Sequence, residues 1–280
     1  MLKFIILSLI SCVAFASPIE FVVTTAPGGP VDTTTRMLVA ELEKNTNLNF
    51  VVINKPGAGH NVGYKYIDET DKPTIFVSSN TIITNKDREG YPVNITKNIE
   101  PIFYLGDFSN ILFVSKKSNI NSLNDLKKLS KTRDINFGHG GVGTYSHKSM
   151  SKICSSTIKC LEVPYKSGSF GMIDLLSGVI DAYSLASFGS EQWMENDALR
   201  PIVIFSKTKH ELFKVNTLPD NVRNLEIKNW LMLFGKNISD DDKKVIVNTL
   251  KKLEDKYYTK MGLWYVYKEP KTIWTKSIEE

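Results

Sequence analysis

From Ile19 onward, short β-branched and aromatic runs alternate with segments whose apolar positions recur at helical spacing, the pattern of an α/β protein. Ile19 to Thr24 reads as a first strand. Asp32 is placed to cap a helix running to about Lys44, in which Val31, Thr35, Leu38 and Leu42 share one face. A strand at Phe50 to Ile53, a helix from Gly59 to Glu69 and a strand at Thr74 to Ser78 complete a first set of βα units. Ile102 to Leu105 and Ile111 to Val114 read as strands separated by Gly106-Asp107, and are taken as a crossover into a second half. There the alternation resumes. Helices are expected near Ser122 to Leu129, Thr144 to Cys154, Ser169 to Ser177 and Glu191 to Asp197. The strands between and after them fall at Ile135 to Phe137, Leu161 to Val163, Ala182 to Leu185 and Pro201 to Phe205. A looser return over Thr217 to Lys228 leads to a strand at Trp230 to Phe234 and a helix capped by Ser239, with Ile246, Leu250 and Leu253 as its stripe. This C-terminal part is expected to pack back on the first half, giving residues 17–100 plus 218–280 as one domain and 101–217 as the other.

The N-terminus has a different pattern. Lys3 precedes the apolar stretch Phe4 to Ala14, and small residues Ala14 and Ala16 flank Phe15, as in a cleaved signal peptide of residues 1–16. The stretch falls short of the roughly 20 apolar residues that a membrane span needs. Export to the periplasm, with a mature chain starting at Ser17, is therefore expected. The alternative is a lipoprotein, with Leu9-Ile10-Ser11-Cys12 as a lipobox and Cys12 acylated. Without the leader the chain keeps Cys154 and Cys160, an even pair suited to a disulfide in an oxidising compartment, or else two buried thiols. The four histidines His60, His139, His147 and His210 have no zinc-site spacing. With 280 residues, 42% of them hydrophobic, the chain can bury a substantial core. Its formal charge of +5 is scattered, which excludes a nucleic-acid signature and weakly favours anionic ligands.

Candidate chemistry gathers where strands run into helices. Thr24-Thr25-Ala26-Pro27-Gly28-Gly29-Pro30-Val31-Asp32 and Phe137-Gly138-His139-Gly140-Gly141-Val142-Gly143-Thr144-Tyr145-Ser146-His147 are both glycine-bearing junctions. Such junctions let backbone N–H groups approach a ligand at the positive end of a helix dipole. Each also fits an ordinary capped loop. A third, Asn54-Lys55-Pro56-Gly57-Ala58-Gly59-His60-Asn61, lies ahead of another helix, and Tyr165 to Gly168 and Asp181 to Ser184 fall at the same end of the second half.

Enzymatic readings compete here. Gly138 to Gly143 satisfies G-x-G-x-x-G by letter, with Glu162 at the distance of a ribose-binding acid. His139-Gly140-Gly141 is similar to an esterase oxyanion segment, yet no G-x-S-x-G nucleophile elbow occurs in the chain. An exported α/β hydrolase or dinucleotide enzyme is thus the alternative to a binding protein.

With these blocks in view, the chain resembles the substrate-binding proteins of tripartite tricarboxylate transporters, the Bug-type receptors. The resemblance rests on Ala26 to Gly29 with Asp32, on Asn54 to Gly59 with Asn61 and Gly63, and on Gly140 to His147. Val163-Pro164-Tyr165-Lys166 and Asp174 to Asp181 complete it. It implies a two-domain, clam-like periplasmic binding protein fold of type II, with no cofactor and no catalytic residue. The implied ligand is a small carboxylate, a dicarboxylate or tricarboxylate or a related acid, held by loops from both domains for delivery to membrane permease subunits. Carried over by position, Gly28, Gly29 and Asp32 mark the first loop, Gly143, Thr144, Ser146 and His147 the second, and Ala58, Gly59 and Asn61 a neighbouring wall. Ser79 and Asp181 are further candidates. A monomer that binds no nucleic acid is expected. His139, Gly141 and Pro30 depart from the family's usual pattern.

Overall fold

The computed structural model describes residues 17–85, 91–92, 94–156, 158–219, 226 and 229–279. The leader, including Cys12, lies outside them. The first lobe opens with β1 (Ile19–Val23), α1 (Pro30–Asn45), β2 (Phe50–Asn54), α2 (Asn61–Glu69) and β3 (Thr74–Ser79). Two short helices, α3 (Thr81–Thr84) and α4 (Ile95–Asn98), precede β4 (Glu100–Phe108). The second lobe contains β5 (Asn110–Ser115), α5 (Leu123–Leu129), β6 (Ile135–His139), α6 (Tyr145–Ser156), β7 (Cys160–Pro164), α7 (Gly168–Ser177), β8 (Ala182–Ala186), α8 (Glu191–Met194) and β9 (Leu199–Ile204). The chain returns through β10 (Asn229–Lys236) and ends in α9 (Asp240–Lys251), α10 (Asp255–Lys260) and α11 (Pro270–Glu279).

Two five-stranded sheets result, ordered β2-β1-β3-β10-β4 and β7-β6-β8-β5-β9. Each has three parallel strands followed by an antiparallel one. The antiparallel strands, β10 and β5, are those the chain enters immediately after crossing between sheets. All five residues of β1 are buried, as befits a strand covered by helices on both faces. Its helix α1 begins at Pro30, which needs no N–H partner there and has a suitable φ. Asp32 therefore lies inside the first turn, three residues after the actual N-cap, Gly29.

The sequence places the crossover too early. Gly106-Asp107 is not a turn, and β4 runs unbroken to Phe108 and pairs with β10 in the first sheet. The register shifts between Leu231 and Met232, opposite this stretch, and Gly106 takes φ +146°. A Cβ at Gly106 would lie 3.0 Å from the Leu263 Cβ and 3.1 Å from the Trp264 carbonyl, so the glycine serves a bulge and a close backbone approach. The chain passes between sheets at Ser109. The C-terminal helices pack on the first lobe: the Tyr257 hydroxyl donates to the Met37 carbonyl at 3.0 Å, and Lys243 pairs with Glu100 at 2.7 Å.

Cys154 on α6 is bonded to Cys160 at the start of β7, closing a loop with a sequence separation of 6. Replacing both cysteines by serine is expected to lower the unfolding free energy by about 2 kcal/mol on the chain-entropy estimate. Urea unfolding of the oxidised protein and the double variant measures it. An unchanged midpoint would show that the bridge contributes nothing.

Candidate ligand-binding site

Three helices begin at the cleft between the sheets. In α1 the first backbone bond back to the N-cap runs from Thr33 N–H to the Gly29 carbonyl, and Gly29 offers no side-chain cap. The Val31 and Asp32 N–H groups therefore precede the intrahelical ladder. In α6 the corresponding bond is Lys148 N–H to the Thr144 carbonyl, which puts Tyr145 and Ser146 N–H in the same position. Helix α7 starts at Gly168 behind Ser167, which again makes no side-chain cap. Val31, Thr144 to Ser146, Ser167 and Gly168 all border one cavity of about 90 Å3. Its wall includes Val77, Phe108, Tyr183, Leu185, Phe188 and Leu231. An adjoining outer cavity of about 320 Å3 shares Thr24, Thr25, His60, Gly140 and Lys166 with it.

Among the described residues that line these cavities there is no Asp or Glu, and the side chains able to carry positive charge are His60 and Lys166. Helix N-termini add positive potential from three directions. One wall is rich in hydroxyls: Tyr64 Oη lies 2.8 Å from Ser78 Oγ and 3.2 Å from Thr81 Oγ1, and Ser79 Oγ lies 2.9 Å from Thr81 Oγ1. Burial pushes the Tyr64 phenol up to about 12, against weaker lowering by hydrogen bonds to Ser78 and Thr81, so it remains a neutral donor. The buried lining atoms Thr25 Oγ1 and Asn110 Oδ1 have no protein partner, and such atoms normally find one in a ligand or water. The Asn110 amide contacts Ser184 Oγ at 3.0 Å. Because a hydroxyl both donates and accepts, either face of that amide can turn toward the cavity.

Of the residues expected from the sequence, Ser79, Thr144 and Ser146 line the inner cavity, and Ala58 and Gly59 border the outer one. Gly28 and Gly29 form the rim, where the lobes touch. Ser169 Oγ donates to the Pro27 carbonyl at 3.3 Å, and a Cβ on Gly29 would lie 2.7 Å from Ser167 Oγ. Asn61 is buried at the start of α2, and neither it nor Gly143 is part of either lining.

Three residues have roles different from those expected. Asp32 braces the first loop, accepting from Gly28 N–H at 2.9 Å, Arg36 Nε at 3.0 Å and Asn54 Nδ2 at 2.9 Å. His147 accepts from Gly143 N–H at 3.3 Å and turns its other nitrogen to Glu162, 3.4 Å away. Asp181 sits at the opposite end of the second sheet, where Arg133 grips it with two bonds of 2.6 and 2.7 Å and Asn136 N–H donates to it. Glu162, placed by sequence at a ribose-binding distance, faces these histidines instead. Among the described residues, no group of His, Cys, Asp and Glu is arranged to hold a metal.

Burial raises the Asp32 carboxyl, but bonds from Arg36, Gly28 and Asn54 outweigh it and hold the group below its ordinary range. Its contribution to stability is present above the unfolded value of about 3.9 and is lost as pH falls through the folded one. Asp32→Ala removes the acceptor of the Gly28 N–H and of Arg36 Nε, and leaves the half-buried Asn54 amide with its bond to the Thr25 carbonyl alone. It is expected to cost about 3 kcal/mol, read by denaturant unfolding at pH 7; a loss under about 1 kcal/mol would contradict the bracing role.

A family model described as tripartite tricarboxylate transporter family receptor matches residues 34–261. The protein BugT of Bordetella pertussis is 26% identical over 175 residues, covering 60% of this chain and 54% of BugT, so the match spans about half of that relative's length. Among solved structures, a Rhodopseudomonas palustris protein with adipate superposes at a TM-score of 0.82 with 19% identity, covering 94% of each chain. MatC of the same organism, with bound malate, superposes at 0.78 with 17% identity over 94% of this chain and 96% of its own. These likenesses establish the two-lobed periplasmic-binding-protein fold. Among the described residues, no helix is long and apolar enough to cross a membrane.

Proposed function

The chain belongs to the tripartite tricarboxylate transporter receptor family, and from that premise we propose that it is a periplasmic receptor that captures a small carboxylate between its lobes. As a receptor it binds its ligand and does not transform it. The observation that carries the carboxylate reading is the convergence of three helix N-termini, two of them without a side-chain cap, on a cavity whose described lining has no acidic side chain. The orphaned Thr25 hydroxyl and the Asn110 amide add side-chain donors, and the Phe108, Phe188 and Leu231 wall suits a short carbon skeleton. Adipate and malate, the ligands of two structural neighbours, are acids of this kind.

We take the moving units to be residues 17–108 with 229–279, and 109–219, with Gly28, Gly29, Ser167 and Ser169 meeting as the lobes close. The mature protein starts at Ser17, acts as a monomer and hands its ligand to permease subunits in the membrane. A thermal-shift screen of adipate, malate and their uncharged diamides tests the ligand class. An acid present at 100 times its dissociation constant should add about 2.7 kcal/mol, raising the melting temperature by about 5 to 10 °C for a chain of this size. Stabilisation by the diamides but not the acids would overturn the reading, as would recovery of a chemically altered ligand.

A further inference from the structure

The second glycine loop spends its N–H groups on its own side chains. Gly140 N–H donates to Ser146 Oγ at 2.8 Å, Gly141 N–H to His139 Nδ1 at 3.2 Å and Gly143 N–H to His147 Nδ1 at 3.3 Å. A ring nitrogen that accepts from an N–H has no proton of its own, so each neutral ring carries its hydrogen on Nε2. Both Nε2 atoms face one carboxylate oxygen, Glu162 Oε2 on β7, at 3.4 Å from His147 and 4.0 Å from His139. The rings lie 4.8 Å apart between centroids, and His139 is fully buried. His147 Nε2 also lies 3.4 Å from Ser151 Oγ on its own helix. This loop and the helix behind it supply Gly140, Thr144, Tyr145 and Ser146 to the ligand cavity.

Protonation reverses the arrangement. An imidazolium has hydrogens on both nitrogens, so its Nδ1–H would point at the Gly141 or Gly143 N–H and the donor pair would repel. We infer that His139 and His147 are positioning residues, holding the Gly140–Gly143 loop in its ligand-binding form only while neutral, so that acidification loosens the loop and releases the ligand. This rests on the cavity being the carboxylate site.

Among the described residues, the charged groups facing the pair are each other, across α6 and β6, and Glu162 from β7. Lys148 on α6 turns away, donating to Thr84 Oγ1 at 2.7 Å. Burial lowers the His139 value below the ordinary histidine range, with the His147 charge adding to that and the Glu162 charge opposing it. His139 is thus neutral at pH 7, and the held loop takes up a proton less readily than the released one. Stability of the held form is complete above the unfolded value of about 6.5 and declines as pH falls through that value toward the lower folded one.

The test compares the wild type with a variant carrying His139→Asn and His147→Asn, whose Oδ1 atoms stand near the Nδ1 positions and accept an N–H at any pH. Calorimetry with adipate at pH 7.5 and 5.5 should show at least a tenfold loss of affinity for the wild type. Whatever its affinity at pH 7.5, the double variant should lose less than about threefold on acidification. Titration of adipate itself affects both proteins equally. Equal losses in both proteins, or no loss in the wild type, would overturn the inference. So would nitrogen NMR finding the histidine hydrogens on Nδ1 at pH 7.5, a readout that needs neither ligand nor variant. If adipate does not bind at pH 7.5, the adipate assignment fails separately. The loop is then read by hydrogen exchange, where protection of Gly141 and Gly143 should fall in acid for the wild type; unchanged protection would overturn the device.

Discussion

Asn110→Asp is expected to weaken carboxylate binding at least 100-fold at pH 7.5 while leaving the shape of the cavity almost unaltered. The side chain is 1% exposed, lines the cavity and approaches Ser184 Oγ at 3.0 Å. The substitution replaces an amide with a nearly isosteric acid, so it tests electrostatics with little change in packing. Two like charges about 4 Å apart repel by about 4 kcal/mol at an effective dielectric constant of about 20, close to a thousandfold in affinity. Partial protonation of the new carboxyl reduces that figure, which is why 100-fold is the bound. Thr25→Val provides a scale: removing one donor to a charged group should cost about 1.5 to 3 kcal/mol. Calorimetry on folded protein measures both. Affinity unchanged in Asn110→Asp would mean that the ligand's charge is bound elsewhere.

Gly29→Val is expected to bring binding close to zero by a steric route. Gly29 has φ −82°, so its backbone accepts any residue, and the free lobes should fold and melt near the wild-type temperature. Its missing Cβ would lie 2.7 Å from Ser167 Oγ across the cleft, and two further methyl groups would hold the Ala26–Gly29 and Ser167–Ser169 segments apart. A folded Gly29→Val protein that retains affinity within tenfold would show that contact at this rim is not needed to enclose the ligand. Pairing calorimetry with circular dichroism separates that result from misfolding.

The elements that sequence located well are those whose signal is local. The β1 run and the helices α1, α6 and α7 each need only neighbours along the chain, although α1 starts at Pro30, ahead of the Asp32 cap that the sequence suggests. What it misplaced depends on distant partners. Gly106-Asp107 has turn composition, but β10 arrives from more than a hundred residues later to pair with it, and Leu263 and Trp264 then press on the glycine. Asp32, His147 and Asp181 are expected at the ligand through the family resemblance. Asn54, Glu162 and Arg133 claim them instead, and nothing in their spacing announces those pairs. Asn110 and Phe108 enter the cavity where the chain passes between sheets, and Tyr64 does so from a helix face, so none carries a motif. Lys166 was visible beside Ser167 and Gly168 as part of a block at the correct sheet end.

The central claim is that one anionic ligand sits between lobes at the helix N-termini, and a crystal structure of the protein with adipate or malate, whichever binds in calorimetry, tests it most directly. The account predicts a carboxylate within about 2.7 to 3.2 Å of donors from both sides of the cleft, drawn from Thr25 or Val31 on one side and Tyr145, Ser146 or Gly168 on the other. An acid bound outside this cavity, or held by a single lobe, would contradict it.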